Sequence, residues 1–259
     1  MLDPVIFTIF GISVYWYGFS YVVGFLFAYF FISRYSLMFK ISREHAEDIF
    51  FYTMIISVIG ARLFYVLFYN LGHYLHAPLE ILAVWHGGMS IHGGILFGFL
   101  TIYWYCRKHH LSLYQCLDMI VIPVAFGLAM GRIANAINQE LVGTVTTVAW
   151  GVIFPKVDSL VRHPSMLYES IADMLLFQVL LFLFFFKRDK IRTGILAVIF
   201  ILGYSFARFC IDFFRVGEIY FGPLALGQIF CIIGIILGLI LFIKIQNNPF
   251  GKSSSQNRK

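Results

Sequence analysis

The sequence predicts an all-α integral membrane protein with seven transmembrane helices and a small strand-containing head on its outer face. Three observations carry that reading. Runs of about 20 apolar residues recur along nearly the whole chain. Only 12% of the 259 residues are charged while 60% are hydrophobic, against roughly 25% charged in an ordinary soluble domain. The basic residues cluster in the gaps between alternate apolar runs. No separate soluble domain fits, and one membrane domain uses up residues 1–259.

The apolar segments lie at about 15–33, 49–69, 89–105, 113–135, 168–186, 194–211 and 224–243, and each suits one tilted helix. Before the first of them, MLDPVIFTIF has no basic stretch and no small-residue cleavage site. The first span itself, rather than a cleaved signal peptide, is expected to direct insertion. Among the connections, RYSLMFKISREH carries Arg34, Lys40 and Arg43, CRKHH carries Arg107 and Lys108, and KRDKIR carries Lys187, Arg188, Lys190 and Arg192. With Lys244, Lys252, Arg258 and Lys259 of the tail, these segments hold thirteen of the nineteen basic residues. The other side holds only Lys156, Arg162 and Arg215, and Arg62, Arg132 and Arg208 fall within or at the ends of spans. By the positive-inside rule the N-terminus faces out and the C-terminus faces the cytoplasm.

The longest outer connection, 136–167, contains the β-branched and aromatic stretch TVTTVAWGVIF followed by Pro155. That composition predicts a small head with strands. The polar tail within 244–259, GKSSSQNRK, is expected to be a cytoplasmic disordered end. An odd number of spans without an inverted repeat argues against the two-fold architecture of many secondary transporters.

A net charge of +6 does not point to nucleic acid, because the basic residues form topology signals rather than a basic face or an aromatic platform. Cys106, Cys116, Cys210 and Cys231 show neither CxxC spacing nor an extracellular framework, and they read as small buried hydrophobes.

An ionisable residue inside hydrocarbon is costly and is by default a functional candidate whose partner must be found. The segment GRIANAINQELVG places Arg132, Asn135, Asn138 and Glu140 at the outer end of the fourth span. Arg132 and Asn135 share a helical face, and Asn138 and Glu140 turn back towards them if the helix ends near 136. A second stripe in the sixth span runs through Tyr204, Arg208, Asp212 and Arg215, at spacings that keep one face. A third, in the second span, is Arg62, Tyr65 and Tyr69. Either these arginines pair with Glu140, Asp212 and carbonyls to lock the bundle, or they bind an anion. Guanidinium forks hold phosphate oxygens bidentately at any relevant pH, so a phospholipid head group is the natural ligand.

WHGGMSIHGGILFG contains two His-Gly-Gly units, with His86 ending a loop and His92 opening the third span. No carboxylate or thiolate set accompanies them, so a metal site is not expected. His92 suits a general base or a hydrogen-bond anchor. HPSMLYE at 163–169 leads into the fifth span, and Trp16, Tyr17 and Gly18 lie early in the first. On spacing alone Tyr17 is an interfacial anchor, and His109 and His110 belong to a basic cytoplasmic loop.

Together these segments closely resemble the prolipoprotein diacylglyceryl transferases over nearly the whole chain. The family's GRxxNFxNxExxG appears as GRIANAINQELVG, ending on Gly143 and with Ala136 in place of phenylalanine; its GGMSFHGG appears as GGMSIHGG, with Ile91 in place of phenylalanine. WYG, GARLFYVLFYN, RHPSMLYE, YSFAR, DFFR and LGQI follow the family order. Asp212 stands where many members carry glutamate, His86 where an acid is frequent, and the outer head is shorter than in some relatives.

The resemblance implies a multi-pass protein of the bacterial inner membrane with a periplasmic N-terminus and an active site near the outer leaflet. Its implied reaction moves the diacylglyceryl group of phosphatidylglycerol to the thiol of a lipobox cysteine in a prolipoprotein signal peptide, giving a thioether and glycerol phosphate. Such chemistry requires a thiolate, an aligned carbon and stabilisation of charge developing on the departing phosphate. Arg132 and Arg208 are the phosphate ligands expected, with Asn135, Asn138 and Glu140 fixing the head group. The family motif adds Gly143 and Asp212 to the lipid-binding set, His92 as the base or its positioner, and Tyr17 as a contact to lipid or phosphate. No cofactor or metal is implied. A phospholipid flippase or transporter would use the same arginines without cleavage, and a scaffold that only binds signal-peptide helices would tolerate loss of Arg132.

Overall fold

The computed structural model describes residues 3–9, 12–83, 87–217 and 220–247; the expectations for His86 and for the end of the tail fall outside them. Eight α-helices account for most of the described chain: α1 (Trp16–Tyr35), α2 (Arg43–Phe68), α3 (Leu71–His76), α4 (Ile91–Lys108), α5 (Leu113–Asn138), α6 (Ser165–Phe182), α7 (Ile195–Ile211) and α8 (Leu226–Asn247). Six helical segments among the described residues are long and apolar enough to cross a membrane: Trp16–Phe39, Arg43–Phe68, Leu113–Asn138, Ser165–Lys190, Ile195–Phe214 and Leu226–Asn247. The 89–105 run forms α4, which carries His92, Thr101, Arg107 and Lys108 and is not among these six.

The chain divides into two compact units, Met1–Ala28 with Leu117–Lys259, and Tyr29–Cys116. In the first unit small residues let helices approach closely, as apolar solvent rewards packing rather than burial. Gly24 of α1 lies against Gly127 of α5, where an added Cβ would sit 3.5 Å from the facing Cα. Just beyond, Phe27, Phe126 and Phe177 close a ring cluster with centroids 4.3, 5.5 and 5.4 Å apart. Ser170 Oγ of α6 donates to Ala129 O of α5 at 3.0 Å. Buried Asp118 accepts the backbone N–H of Gly194 and Ala197 at 2.5 and 2.8 Å, satisfying orphan donors at the start of α7.

Among the described residues, three two-stranded antiparallel ribbons lie outside the helices: β1 (Val5–Ile9) with β2 (Ile12–Tyr15), β3 (Val152–Ile153) with β4 (Val161–Arg162), and β5 (Tyr220–Phe221) with β6 (Leu224–Ala225). Of TVTTVAWGVIF only Val152 and Ile153 form a strand. Before them the chain turns, with Gly151 N–H donating to Val148 O at 3.0 Å, which ends any longer extended run. Val142, Phe154 and Met166 are buried together beneath this hairpin.

In the second unit α2 and α4 pack tightly. Gly98 leaves no room for a Cβ, which would fall 2.5 Å from Ser57 Oγ, and Ser90 N–H, just before α4, donates to Ala61 O at 2.9 Å. Ser42 caps α2 by accepting from His45 N–H at 3.3 Å, a favoured N-cap pairing. Cys106, Cys116 and Cys231 are buried as expected, but Cys210 is exposed on α7.

Candidate functional site

The site of the first unit begins where α5 ends. After Asn138, Gln139 and Leu141 adopt left-handed backbone with φ of 62° and 57°, which folds GRIANAINQELVG back on itself. Glu140 N–H donates to Asn135 O at 2.9 Å. Its carboxylate accepts from Asn135 Nδ2 at 3.0 Å and Asn138 Nδ2 at 3.2 Å. Arg132 Nη1 donates to Asn135 Oδ1 at 3.5 Å. The four residues of this motif are therefore one hydrogen-bonded chain, and the helix runs two residues further than the sequence implied.

Gly143 closes the turn. Its N–H donates to His163 O at 2.9 Å, the next N–H, of Thr144, donates to Phe214 O at 2.9 Å, and Gly143 bridges to Arg215. A Cβ here would stand 2.6 Å from Phe214 O. Glycine is required because two backbone segments meet at this point.

The centre of the site is Glu169, almost fully buried on α6. Its Oε2 is 2.6 Å from Arg132 Nε, its Oε1 pairs with Arg208, and Arg215 Nη1 is 3.4 Å away. Arg208 Nη2 also meets Asp212 Oδ1 at 2.9 Å. The stripe read along the sixth span persists, since α7 stops at Ile211 and a single 3-10 turn, Asp212–Phe214, brings Arg215 round to the same carboxylate. Arg132 thus pairs with Glu169 rather than with Glu140. A cleft beside the cluster is lined by Glu169, Asp173, Tyr204 and Arg208 among others.

Sequence reasoning placed Glu169 only within the HPSMLYE motif and passed over Asp173. The available signal was an acid in an apolar helix, repeated one turn later at Asp173. Asp212 Oδ2, Asp173 Oδ2 and Asn138 Oδ1 are buried without a hydrogen-bond partner among the described residues. Arg215, outside the spans, loses part of its basicity to burial and to its neighbour Arg208.

Tyr17, in the first turn of α1, reaches Tyr21 with hydroxyl oxygens 3.3 Å apart. Tyr21, which sequence reasoning missed, lies within electrostatic range of Arg132 and Glu140. In the head, Trp150 Nε1 donates to Tyr168 Oη at 2.8 Å. Arg162 meets Asp158 at 2.5 Å and holds that carboxyl below its ordinary range through the hydrogen bond.

Arg62 belongs to the second unit and serves the backbone. It donates to the carbonyls of Ile81, Gly87, Gly88, Glu80 and Ala83 at 2.9, 2.6, 3.0, 2.6 and 3.3 Å. Its guanidinium also covers the Tyr74 ring at 5.1 Å, while Tyr65 stacks on Tyr69. Gly87 and Gly88 have φ of 83° and 75°, and a Cβ at Gly88 would stand 2.7 Å from Arg62 Nη1. Gly87 and Gly88 are thereby fixed on Arg62 just ahead of α4, with half-buried His92 in the first turn of that helix.

A family model described as prolipoprotein diacylglyceryl transferase matches residues 4–244. A phosphatidylglycerol–prolipoprotein diacylglyceryl transferase of Wolbachia sp. subsp. Drosophila simulans (strain wRi) is 38% identical over 98% of this chain and 98% of its own length. Its counterpart from Wolbachia pipientis subsp. Culex pipiens (strain wPip) is 40% identical over 98% and 99%. That of Rickettsia rickettsii (strain Sheila Smith) is 38% identical over 96% and 98%.

Proposed function

This chain belongs to the prolipoprotein diacylglyceryl transferase family, and from that premise we propose how its own residues carry the reaction. The protein is a transferase of lipoprotein maturation that moves a diacylglyceryl group from phosphatidylglycerol to a prolipoprotein. The acceptor is the thiol of the lipobox cysteine in the signal peptide.

The observation that carries the site reading is the convergence of Arg132, Arg208 and Arg215 on buried Glu169. Three guanidinium groups at helix ends, in a chain this apolar, suit a lipid phosphate better than packing alone. Glu169 holds the forks oriented before substrate arrives, so little reorganisation is needed when charge develops. The cysteine thiolate attacks the glyceryl carbon that bears the phosphate ester, a C–S bond forms, and the C–O electron pair stays on the departing glycerol phosphate. Arg132 and Arg208 neutralise that new charge. Asn135, Asn138 and Glu140 present amide and carboxylate groups to the head-group glycerol, Gly143 keeps their turn closed, and Asp212 fixes Arg208. His92 takes the thiol proton or orients the group that does, and Tyr17 contacts the lipid through the same face as Tyr21.

In this reading α4 is the seventh span, the charge distribution puts the N-terminus and the 136–167 head in the periplasm and the C-terminus in the cytoplasm, and the arginine cluster lies near the outer leaflet of the bacterial inner membrane. The test is turnover by the purified protein in detergent with phosphatidylglycerol and a lipobox peptide. Peptide mass and released glycerol phosphate are followed for wild type, Arg132→Ala and His92→Gln. Wild type should add one diacylglyceryl mass per phosphate released, and Arg132→Ala should lose turnover while still inserting and accumulating. Near-normal activity of the arginine variant removes it from the phosphate site. Lipid binding by wild type without either product would instead indicate lipid transport.

A further inference from the structure

Asp173 is buried on α6 one turn beyond Glu169, and both line the cleft next to the arginine cluster. Its Oδ2 has no hydrogen-bond partner among the described residues, although Arg132, Arg208 and Glu169 all lie within electrostatic range. The charged groups around it can be counted. Arg132 from α5, Arg208 from α7 and Arg215 just after it supply three positive charges, while Glu169 and Asp212 are paired with them and supply two negative ones. Tyr204 of α7 is the other titratable group facing the cleft, and Glu140 is exposed and held by two asparagines.

With Asp173 ionised the cluster sums to zero and offers nothing to an anion. With Asp173 protonated it carries one positive charge, which matches the single negative charge of a phosphodiester. An unpaired carboxylate in a dry site is costly, and Asp173 is the carboxyl of this cluster without an ion pair among the described residues. We infer that Asp173 is a positioning residue that takes up a proton from solvent as the lipid phosphate enters the arginine cluster. The proton returns to solvent when glycerol phosphate has left and the cluster is again balanced by its own carboxylates.

The inference rests on the phosphatidylglycerol reading above and adds a proton to it. A bound anion raises the proton affinity of a nearby carboxyl, so the two binding events favour each other. Between the pH at which free Asp173 loses its proton and the higher pH at which the lipid-bound form does, lipid affinity falls about tenfold per pH unit as pH rises.

Full-length protein in detergent, without peptide, is titrated with phosphatidylglycerol by calorimetry in two buffers of different ionisation enthalpy. Wild type should take up as much as one proton per lipid, Asp173→Asn none and with pH-independent affinity, and Asp173→Glu should restore uptake. Infrared difference spectra of the wild type, with isotope-labelled aspartate, should gain a protonated-carboxyl band on lipid binding, a readout that does not depend on the asparagine variant folding. Lipid binding with no proton uptake and no such band overturns the inference and leaves the phosphate site standing. An asparagine variant that keeps the wild-type pH slope overturns it as well. Failure of the wild type to bind phosphatidylglycerol at all removes the site reading and this inference together.

Discussion

Arg132 Nε lies 2.6 Å from Glu169 Oε2, an ion pair that ties the C-terminal end of α5 to the first turns of α6. The same carboxylate receives Arg208 and Arg215, so one buried acid organises cations from three parts of the chain. Removing it leaves three guanidinium groups facing one another in a low dielectric, where like charges repel strongly.

Glu169→Ala should therefore destabilise the protein by about 3–5 kcal/mol, as loss of one partner of a buried pair does. Turnover should fall at least as far as in Arg132→Ala. Thermal unfolding in detergent alongside glycerol phosphate release checks both. A Glu169→Ala protein with wild-type melting and wild-type turnover would show that the arginines need no common partner.

Gly143→Ala tests the closed turn. The new Cβ would fall 2.6 Å from Phe214 O, a backbone atom that cannot swing away, so the turn must open. An overpacked site of this kind costs about 1–3 kcal/mol. The opened turn should also displace Asn135 and Glu140 and raise the KM for phosphatidylglycerol. Unchanged kinetics would remove the turn from head-group binding.

Arg62 contributes through five backbone carbonyls. Lysine cannot replace its planar fork, so Arg62→Lys should destabilise almost as much as Arg62→Leu, by about 3 kcal/mol given hydrogen bonds to a charged donor. Faster hydrogen exchange at residues 77–83 and 87–90 is the expected signature. Exchange at wild-type rates in both variants would mean that the loop holds without Arg62.

The hairpin of the head should be acid-sensitive. Arg162 lowers the Asp158 pKa through its hydrogen bond, and a carboxyl depressed in the folded state stabilises fully above its unfolded pKa, about 3.9. That contribution disappears as pH falls through the lower, folded value. Amide protection, corrected for the intrinsic exchange rate, should fall in residues 152–162 over that interval in wild type and stay flat in Asp158→Asn. Equal acid sensitivity in the two proteins would assign the effect to another group.

Much of the fold was legible in order along the chain, because hydrocarbon demands long apolar helices that satisfy their own backbone. The run read at 113–135 is helix Leu113–Asn138, and that at 194–211 is Ile195–Ile211. The third run forms helix α4, which falls outside the six apolar spans, and its buried Tyr105 donates to Asp48 of α2 at 2.6 Å. The strand signal in the head overstated its length, since β-branched composition does not reveal where a local turn interrupts pairing.

At the site, the sequence by itself determined which residue types gather near the ends of α5 and α7, because spacing along one helix places Arg132 with Asn135 and Arg208 with Asp212. Tertiary structure alone decided their partners. Glu169, Asp173 and Tyr21 come from other helices, and nothing in the local pattern says which acid an arginine will meet. Arg62 looked like a third functional arginine but belongs to the backbone of a neighbouring loop, whereas Arg132 and Arg208 share a buried carboxylate. That difference lies in helix packing, which sets distances of a few ångströms between residues dozens of positions apart in the chain.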